Sequence, residues 1–360
     1  MDTIFEPIKM SNSTLKNRVV MAPLTRSRAD NSGNPTDMMT EYYAQRSGAG
    51  LIISEATNIS KEAYGYELTP GIFSNDQIAG WKKITQAVHK KDGKIFCQLW
   101  HCGRISHEDL QPDGQKPVAP SAINPDAEAF VNGEKKKTPT PRALETQEIS
   151  RIISEYVVAA KNAIEAGFDG VEVHSANGYL LHQFISDSSN KRDDQYGGSI
   201  ENRCRFTLDT ISAVVSAIGA DKVGIRLAPV SDFNNVSTEN PQKTYEYIVE
   251  QLNEFNINYI HVIEGKTQGD RDYLNFDYKS LKEKFNGLYI GNNNYDLELA
   301  KKRTEDNSVD MVCFGRPFIA NPDLVTRFKE NASLNELDED TMYSGGEHGY
   351  TDYPKLNEEK

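Results

Sequence analysis

Eight short apolar runs divide the chain, and their regular recurrence constrains the fold more than any other feature. They begin at Val19, Leu51, Lys94, Gly170, Val223, Tyr259, Leu288 and Met311. Each run is rich in β-branched residues, is bounded by turn residues and mostly lacks strict alternation of polar and apolar positions. This pattern is typical of strands that are covered on both faces. The runs therefore predict parallel strands.

The segments between these runs have helical patterns. In "ISRIISEYVVAAKNAIEAG", which ends at Gly167, and in "TYEYIVEQLNEFNI", apolar residues recur at helical spacing. Eight strands alternating with helices predict an α/β fold, a closed (β/α)8 TIM barrel, although a doubly wound open sheet shows the same alternation. No G-x-G-x-x-G follows the first strand, which argues against a dinucleotide-binding sheet. We expect one domain spanning residues 1–360.

Two segments interrupt this rhythm. Residues 103–145 follow the third strand, are rich in Pro, Gly, Asp and Lys, and are too long for an ordinary loop. In a barrel this segment leaves the C-terminal rim, where active sites lie. We therefore expect residues 103–145 to form a partial cap and residues 333–360, which contain "GYTDYP", to form a second rim element.

Charge and composition limit the function classes. The net charge is −13 and is spread along the chain, with only a short lysine run at Lys135–Lys137, which argues against a nucleic-acid or anionic membrane surface. An anionic ligand would need specific arginines, for which Arg226 and Arg316 are candidates.

The cysteines and the N-terminus indicate a reducing compartment. Four cysteines form no CxxC pair, and the N-terminus lacks a charged segment followed by an apolar one. No apolar run approaches the ~20 residues that span a bilayer. We expect a cytoplasmic protein without a zinc site or a disulfide framework.

Polar and small residues concentrate at the predicted strand ends. They are Pro23, Leu24, Thr25, Ala56, Gln98, Trp100, His174, Asn177, Arg226, Gly291, Asn292, Asn293, Asn294, Gly315 and Arg316. A flavin needs hydrogen-bonding groups along its pyrimidine edge, a cation near N1 and O2, and a phosphate site. Gln98, Arg226 and Arg316 suit these roles in turn.

Long strings in this chain resemble the old yellow enzyme family of FMN-dependent ene-reductases, in its classical branch. They are "MAPLTR" at 21, "EYYAQR" at 41, "GLIISEAT" at 50, "QLWHCGR" at 98, "HSANGYLLHQF" at 174, "DQYGGSIENRCRF" at 194, "FGRPFIANPDL" at 314 and "GYTDYP" at 349. The resemblance runs nearly end to end. It implies FMN as cofactor, NADPH or NADH as reductant, and α,β-unsaturated carbonyl compounds as substrates, with nitro compounds as a second class.

The resemblance also implies residue roles. His174 and Asn177 would donate hydrogen bonds to the acceptor oxygen of the substrate, and Tyr179 would supply the proton. Aromatic substrate contacts would come from Tyr66, Trp100 and Tyr350. The implied FMN contacts are Pro23, Leu24, Thr25, Ala56, Gln98, Arg226, Asn293, Asn294, Gly315 and Arg316. As partners we expect only small molecules, in a monomer or homodimer.

One loop departs from the family pattern. Residues 291–294 read Gly-Asn-Asn-Asn, where relatives carry more glycine or small residues. Asparagine tolerates the left-handed backbone better than most residues, so we expect function to survive, and FMN affinity is the property that this loop would change.

Rival interpretations fit less well. A dienoyl-CoA or amine-oxidising relative would carry an iron–sulfur cysteine cluster, which this chain lacks. A Schiff-base lyase would need a lysine at a strand end, and no lysine lies at the end of any predicted strand. A flavin module without turnover would not need His174, Asn177 and Tyr179 together. A metal site is not expected, because His174 and His182 are eight residues apart and no carboxylate cluster accompanies them.

Overall fold

Parallel hydrogen bonding joins eight strands into a closed barrel. The computed structural model describes residues 2–131 and 133–356. The barrel strands are β1 (Val19–Met21), β2 (Leu51–Ile53), β3 (Ile95–Trp100), β4 (Gly170–Ser175), β5 (Val223–Leu227), β6 (Tyr259–Ile263), β7 (Leu288–Asn292) and β8 (Met311–Phe314). Each pairs with the next in parallel, and β8 pairs with β1. The TIM-barrel prediction is confirmed, and the open sheet is excluded.

Helices surround the barrel. They are α1 (Asp37–Gln45), α2 (Asn75–His89), α3 (Thr146–Glu165), α4 (Leu180–Ile185), α5 (Ile200–Ile218), α6 (Pro241–Leu252), α7 (Tyr278–Lys284), α8 (Leu297–Glu305), α9 (Arg316–Ala320) and α10 (Leu324–Lys329). The two segments with a helical pattern form α3 and α6. Just beyond α3, Gly167 adopts a φ of +89°, which glycine allows at low cost. Among the described residues, none of these helices combines the length and the apolar composition that a membrane span requires.

Shorter elements complete the fold. Short 3-10 turns lie at Thr3–Phe5, Lys61–Ala63, Glu108–Leu110, Pro112–Gly114, Ala220–Lys222, Asn253–Phe255 and Glu339–Thr341. An antiparallel hairpin pairs Ile8–Met10 with Ser13–Leu15, and Thr57–Asn58 pairs with the end of β3. After β3, Val118–Ala119 pairs with Arg142–Ala143, and the strands Glu128–Val131 and Glu134–Lys137 form a second hairpin. This second hairpin lies within the segment predicted to cap the barrel.

Alternation along the strands sorts side chains between two environments. Val171 and Val173 of β4 belong to the large cluster between strands and helices, as Ile225 of β5 does. The intervening residues, Glu172 and His174, therefore point into the barrel. The lower barrel is filled by a separate apolar cluster that includes Val20, Leu51, Ile53, Phe96, Tyr259 and Ile290. The polar side chains near the C-terminal ends of the strands thus lie above this apolar cluster.

The C-terminal segment is held against the barrel mouth by arginines that follow β1. Arg26 donates from Nε to the Met342 carbonyl and from Nη2 to the Gly349 carbonyl, both at 2.8 Å. Arg28 Nη2 donates to the Thr341 carbonyl at 2.8 Å. We call Arg26, Arg28, Arg46, Tyr42 and Tyr350 the tail clamp. Met342, Tyr343 and Ser344 reach the rim as a result.

Candidate active site

A cavity of about 890 Å³ opens at the C-terminal ends of the barrel strands. Its volume is typical of a small-molecule or cofactor site. The predicted site residues that line it are Pro23, Leu24, Thr25, Ala56, Tyr66, Gln98, Trp100, His174, Asn177, Tyr179, Arg226, Asn293, Asn294, Gly315 and Arg316. Sequence positions nearly three hundred residues apart therefore meet in one place.

Tyr350 does not join them, and its assignment as a substrate contact is corrected here. Its ring is fully buried and stacks on Tyr42, with the centroids 4.1 Å apart. The guanidinium of Arg28 lies 4.8 Å from the Tyr350 ring centroid. These contacts hold Tyr350 inside the tail clamp, and the aromatic residue that the tail contributes to the cavity is Tyr343.

Two hydrogen-bonded groups lie at one side of the cavity, and we call them together the floor network: Gln98, Glu172 and His261 form one group, and Arg226 and Asn292 form the other. Gln98 Nε2 donates to Glu172 Oε1 at 2.7 Å, and His261 Nδ1 lies 2.9 Å from Glu172 Oε2. Gln98 and Glu172 are register partners across β3 and β4, so the sheet itself places them together. With one amide N–H used, Gln98 keeps its carbonyl oxygen and second N–H for a ligand.

Glu172 is a buried negative charge. Burial acts to raise the pKa of the Glu172 carboxyl, but its attraction to His261 and Arg226 outweighs burial and holds that pKa below its usual value. Burial acts to lower the pKa of His261 and outweighs its attraction to the Glu172 carboxylate, which accepts a hydrogen bond from His261 Nδ1. Glu172 and Arg226 therefore give the floor network a buried negative charge and a buried positive charge.

Arg226 has an unused donor that fits a flavin. Its Nη2 donates to Asn292 Oδ1 at 2.9 Å, and Asn292 Nδ2 donates to the Cys313 carbonyl at 2.9 Å. Its Nε is buried, and among the described residues it has no acceptor. A buried cationic N–H without an acceptor is costly unless a ligand supplies one. The pyrimidine edge of FMN would supply such an acceptor, so the residues present fit this cofactor.

The loop after β7 has a left-handed backbone at two asparagines, with φ of +104° at Asn293 and +48° at Asn294. Asn293 Nδ2 donates to the carbonyl of Glu264 at 2.8 Å, and Asn294 Nδ2 donates to that of Gly269 at 2.6 Å. Because these side chains bond a neighbouring loop, a ligand would meet the main chain of both residues. Arg316 begins α9 beside them, exposed and within the cavity lining. Backbone N–H groups and an arginine are suited to a phosphate.

His174 is a neutral hydrogen-bond donor. Its Nδ1 accepts the backbone N–H of Ala176 at 3.3 Å, which places the ring proton on Nε2. Burial first, and then the nearby Arg226 charge, hold the pKa of His174 well below its usual value. The imidazole therefore offers an N–H to the cavity without carrying a charge.

Asn177 supplies a second donor. It has a φ of +56°, a left-handed conformation that asparagine accepts more readily than most residues. Its Oδ1 accepts a hydrogen bond from Thr267 Oγ1 at 2.9 Å. The amide nitrogen is thereby left for a ligand in the cavity.

Tyr179 lies in an aromatic corner. Its hydroxyl is 3.2 Å from that of Tyr66, and its ring packs edge-on against Trp100 and His174 at centroid distances of 4.8 and 5.1 Å. Burial, together with the neighbouring Tyr66, raises the pKa of Tyr179 well above its usual value. The phenol therefore stays protonated and can release a proton only to a strongly basic atom.

Some residues of the site escaped sequence reasoning. Glu172 had a signal, because a carboxylate in the middle of a buried strand is rarely left unpaired. Thr267 had none, since it lies in an irregular loop after β6. Within the described ranges, no cluster of His, Cys, Asp and Glu could hold a metal ion.

Comparisons with known proteins show which reductases this chain is similar to. A probable flavin mononucleotide-dependent alkene reductase from Leishmania infantum is 42% identical over 358 residues, covering 98% of this chain and 97% of the relative. A structure of morphinone reductase in complex with tetrahydroNAD is 48% identical, with a TM-score of 0.94 and 98% of each chain covered. An old yellow enzyme homologue from Zymomonas mobilis is 40% identical, with a TM-score of 0.93, covering 98% of this chain and 99% of that one.

A family model confirms the resemblance found in the sequence. The model that describes the NADH:flavin oxidoreductase / NADH oxidase family matches residues 3–335, which include every barrel strand and the whole cavity except the tail. The chain belongs to the NADH:flavin oxidoreductase / NADH oxidase family.

Proposed function

We propose that this protein is an FMN-dependent ene-reductase that uses NADH or NADPH to reduce the C=C bond of α,β-unsaturated carbonyl compounds. Nitro compounds form a second substrate class. The observation that carries the proposal is the meeting, in one cavity, of two neutral N–H donors and a protonated tyrosine with the floor network.

The floor network and the loops after β7 and β8 are suited to hold FMN. Gln98 and Arg226 would bind the pyrimidine edge, Thr25 and Ala56 would line the ring, and Arg316 would meet the phosphate. When bound, FMN supplies hydride chemistry between the nicotinamide and the alkene. The protein contributes orientation, charge and protons.

His174 and Asn177 would act on the substrate oxygen. When a hydride adds to the β-carbon of an enone, negative charge develops on the carbonyl oxygen. Donors that are already in position stabilise that charge more in the transition state than in the ground state, because they need not reorganise. Both donors are neutral, so they bind the uncharged substrate and interact more strongly with its oxygen once that oxygen carries negative charge.

Tyr179 would complete the reduction. After hydride addition the α-carbon is strongly basic, and the raised pKa of Tyr179 keeps a proton available for it. Trp100 and Tyr66 stack at a centroid distance of 5.6 Å and shield this corner from water.

The visible spectrum of the purified protein tests the proposal. We expect a yellow protein with one FMN, bleached anaerobically by NADH or NADPH and restored to yellow by cyclohexenone. At a hundredfold excess over Kd, FMN should stabilise the fold by about 2.7 kcal/mol. A protein that stays colourless with added FMN contradicts the cofactor assignment, and one that is bleached but not restored by the enone is a flavin module without this turnover.

Finer features belong to the same proposal. We infer that residues 1–360 form one FMN-binding domain, with 103–145 as cap and 333–360 as rim tail; Met1, Asn132 and residues 357–360 of these ranges lie outside the described residues. The four cysteines are buried and free, which supports a cytoplasmic location. A monomer or homodimer is proposed, and gel filtration with light scattering distinguishes the two.

A further inference from the structure

A chain of hydrogen bonds fixes the side-chain amide of Asn177. The chain joins three loops at the barrel mouth, those after β4, β5 and β6. Thr267 Oγ1 donates to Asn177 Oδ1 at 2.9 Å, and Ser231 Oγ lies 2.6 Å from Thr267 Oγ1. Asn234 Nδ2 also donates to the Asn177 carbonyl at 2.8 Å, so both the backbone and the side chain of Asn177 are held.

The polarity of this chain follows from counting lone pairs. Ser231 Oγ accepts the backbone N–H groups of Phe233 and Thr267, each at 3.3 Å. A hydroxyl has two acceptor sites and one proton, so Ser231 has only its proton left for Thr267 Oγ1. Thr267 then donates its own proton to Asn177, so the amide oxygen of Asn177 must face Thr267. The nitrogen end faces the cavity.

We infer that Ser231 and Thr267 are positioning residues that make Asn177 present its N–H to the substrate oxygen. This inference rests on the proposed function. An asparagine amide has a donor end and an acceptor end of nearly equal size, so the wrong end can face a ligand unless other residues fix its orientation. The donor of His174 is fixed within its own loop, because the Ala176 N–H donates to Nδ1 and so sets the tautomer. Asn177 depends on two other loops.

Loss of the Thr267 hydroxyl should therefore weaken recognition of oxyanions. Without that donor the Asn177 amide can rotate and place Oδ1, an acceptor, against the negative oxygen. A hydrogen bond to a charged group contributes enough that its loss should weaken binding about tenfold. FMN affinity should not change, because neither Ser231 nor Thr267 belongs to the floor network.

The test uses FMN-loaded protein and 4-cyanophenol, whose anion imitates the developing oxyanion. Its Kd is measured from changes in the visible flavin spectrum for Thr267→Val, Thr267→Ser, Asn177→Ala and Thr267→Val with Asn177→Ala. Thr267→Val matches threonine in shape and lacks the hydroxyl, and Thr267→Ser keeps it. Ser231→Ala provides a second approach to the same chain, with a smaller loss expected.

The inference predicts that Thr267→Val binds the phenol about tenfold more weakly, that Thr267→Ser restores most of the affinity, and that Thr267→Val has no further effect once Asn177 is alanine. Unchanged affinity in Thr267→Val overturns it. So does an equal loss with and without Asn177, because Thr267 would then act by another route. Failure of the unsubstituted holoprotein to bind the phenol or to reduce cyclohexenone counts instead against the proposed function.

Discussion

Two buried glutamates near the barrel mouth differ in charge, although Glu172 is 0% and Glu55 only 1% exposed. Burial acts to raise the pKa of each. In the floor network both oxygens of Glu172 have polar partners, and its pKa lies below the usual value. Beside the tail clamp, Glu55 Oε1 accepts from Tyr43 at 3.1 Å, Oε2 has no partner among the described residues, and the pKa rises to about 7.

The difference shows that burial alone does not decide the charge of a carboxyl group. Hydrogen bonds that reach both oxygens, with a cation close by, keep a carboxylate ionised in the interior. The floor network meets that condition. In the tail clamp the arginines donate mainly to main-chain carbonyls instead; Arg46, for example, donates to the carbonyls of Phe318 and Ile319. The floor network thus keeps a buried carboxylate ionised, whereas the tail clamp attaches the C-terminal segment to the barrel.

The largest expected effect separates the two regions by chemistry. Tyr179→Phe should leave flavin reduction by NAD(P)H nearly intact and slow cyclohexenone reduction by ~10² to 10⁴, because the proton donor is lost. Tyr350→Phe, in the tail clamp, is the matched control and should react at close to the original rate. Stopped-flow traces decide the matter. A quinone needs no proton at carbon and should be spared, so equal slowing of quinone and enone would make Tyr179 structural.

The second prediction concerns stability against pH. Because the folded pKa of Glu55 is about 7 against an ordinary 4.5, its contribution is fully present below pH 4.5 and is lost as pH rises through 7. The loss should be about 3 kcal/mol of unfolding free energy. Glu55→Gln should remove this loss, as measured by urea unfolding between pH 5 and 8. Glu172→Gln should not, because its lowered pKa has the opposite sign, and identical pH profiles for the two variants would contradict the comparison.

A third prediction contrasts the exposed Arg316 with Arg28, whose guanidinium donates to main-chain carbonyls. Arg316→Ala should weaken FMN binding about 10- to 100-fold and leave riboflavin, which lacks the phosphate, nearly unaffected. Arg28→Ala should lower the Tm without discriminating between the two ligands. Fluorescence titration of the apoprotein measures both affinities. Equal losses for FMN and riboflavin in Arg316→Ala would place the phosphate elsewhere.

The smallest expected effect is on the reduction potential of the bound flavin. Glu172→Gln removes the negative charge that offsets Arg226, which should favour the more negative reduced flavin. The midpoint potential should rise by about 30 mV, equivalent to about 1.4 kcal/mol for two electrons. Glu55→Gln should leave the potential nearly unchanged. A fall or no change in Glu172→Gln, measured against a reference dye, would remove Glu172 from the electrostatics of the site.

Much of this site could be predicted because the register of the parallel strands determines which side chains meet at the barrel mouth. Three residues point inward near the ends of strands whose apolar pattern is unambiguous: Gln98, His174 and Arg226. Once the strands were predicted, these residues followed from their positions at the strand ends. Thr267 could not be found this way, because its contact with Asn177 depends on how two loops fold. The assignment of Tyr350 failed for a related reason: nothing near it in the sequence tells whether its ring faces the cavity or the arginines that follow β1.

The distribution of the two tryptophans has an optical consequence. Trp100 lines the cavity, stacked against Tyr66. Trp81 is buried between Tyr43 and Phe168, with its indole N–H on the Gly71 carbonyl at 3.0 Å. A chromophore bound in the cavity would quench the emission of Trp100 more strongly than that of Trp81. The chain therefore carries its own fluorescent indicator of occupancy together with an internal reference, and no label is needed to follow binding.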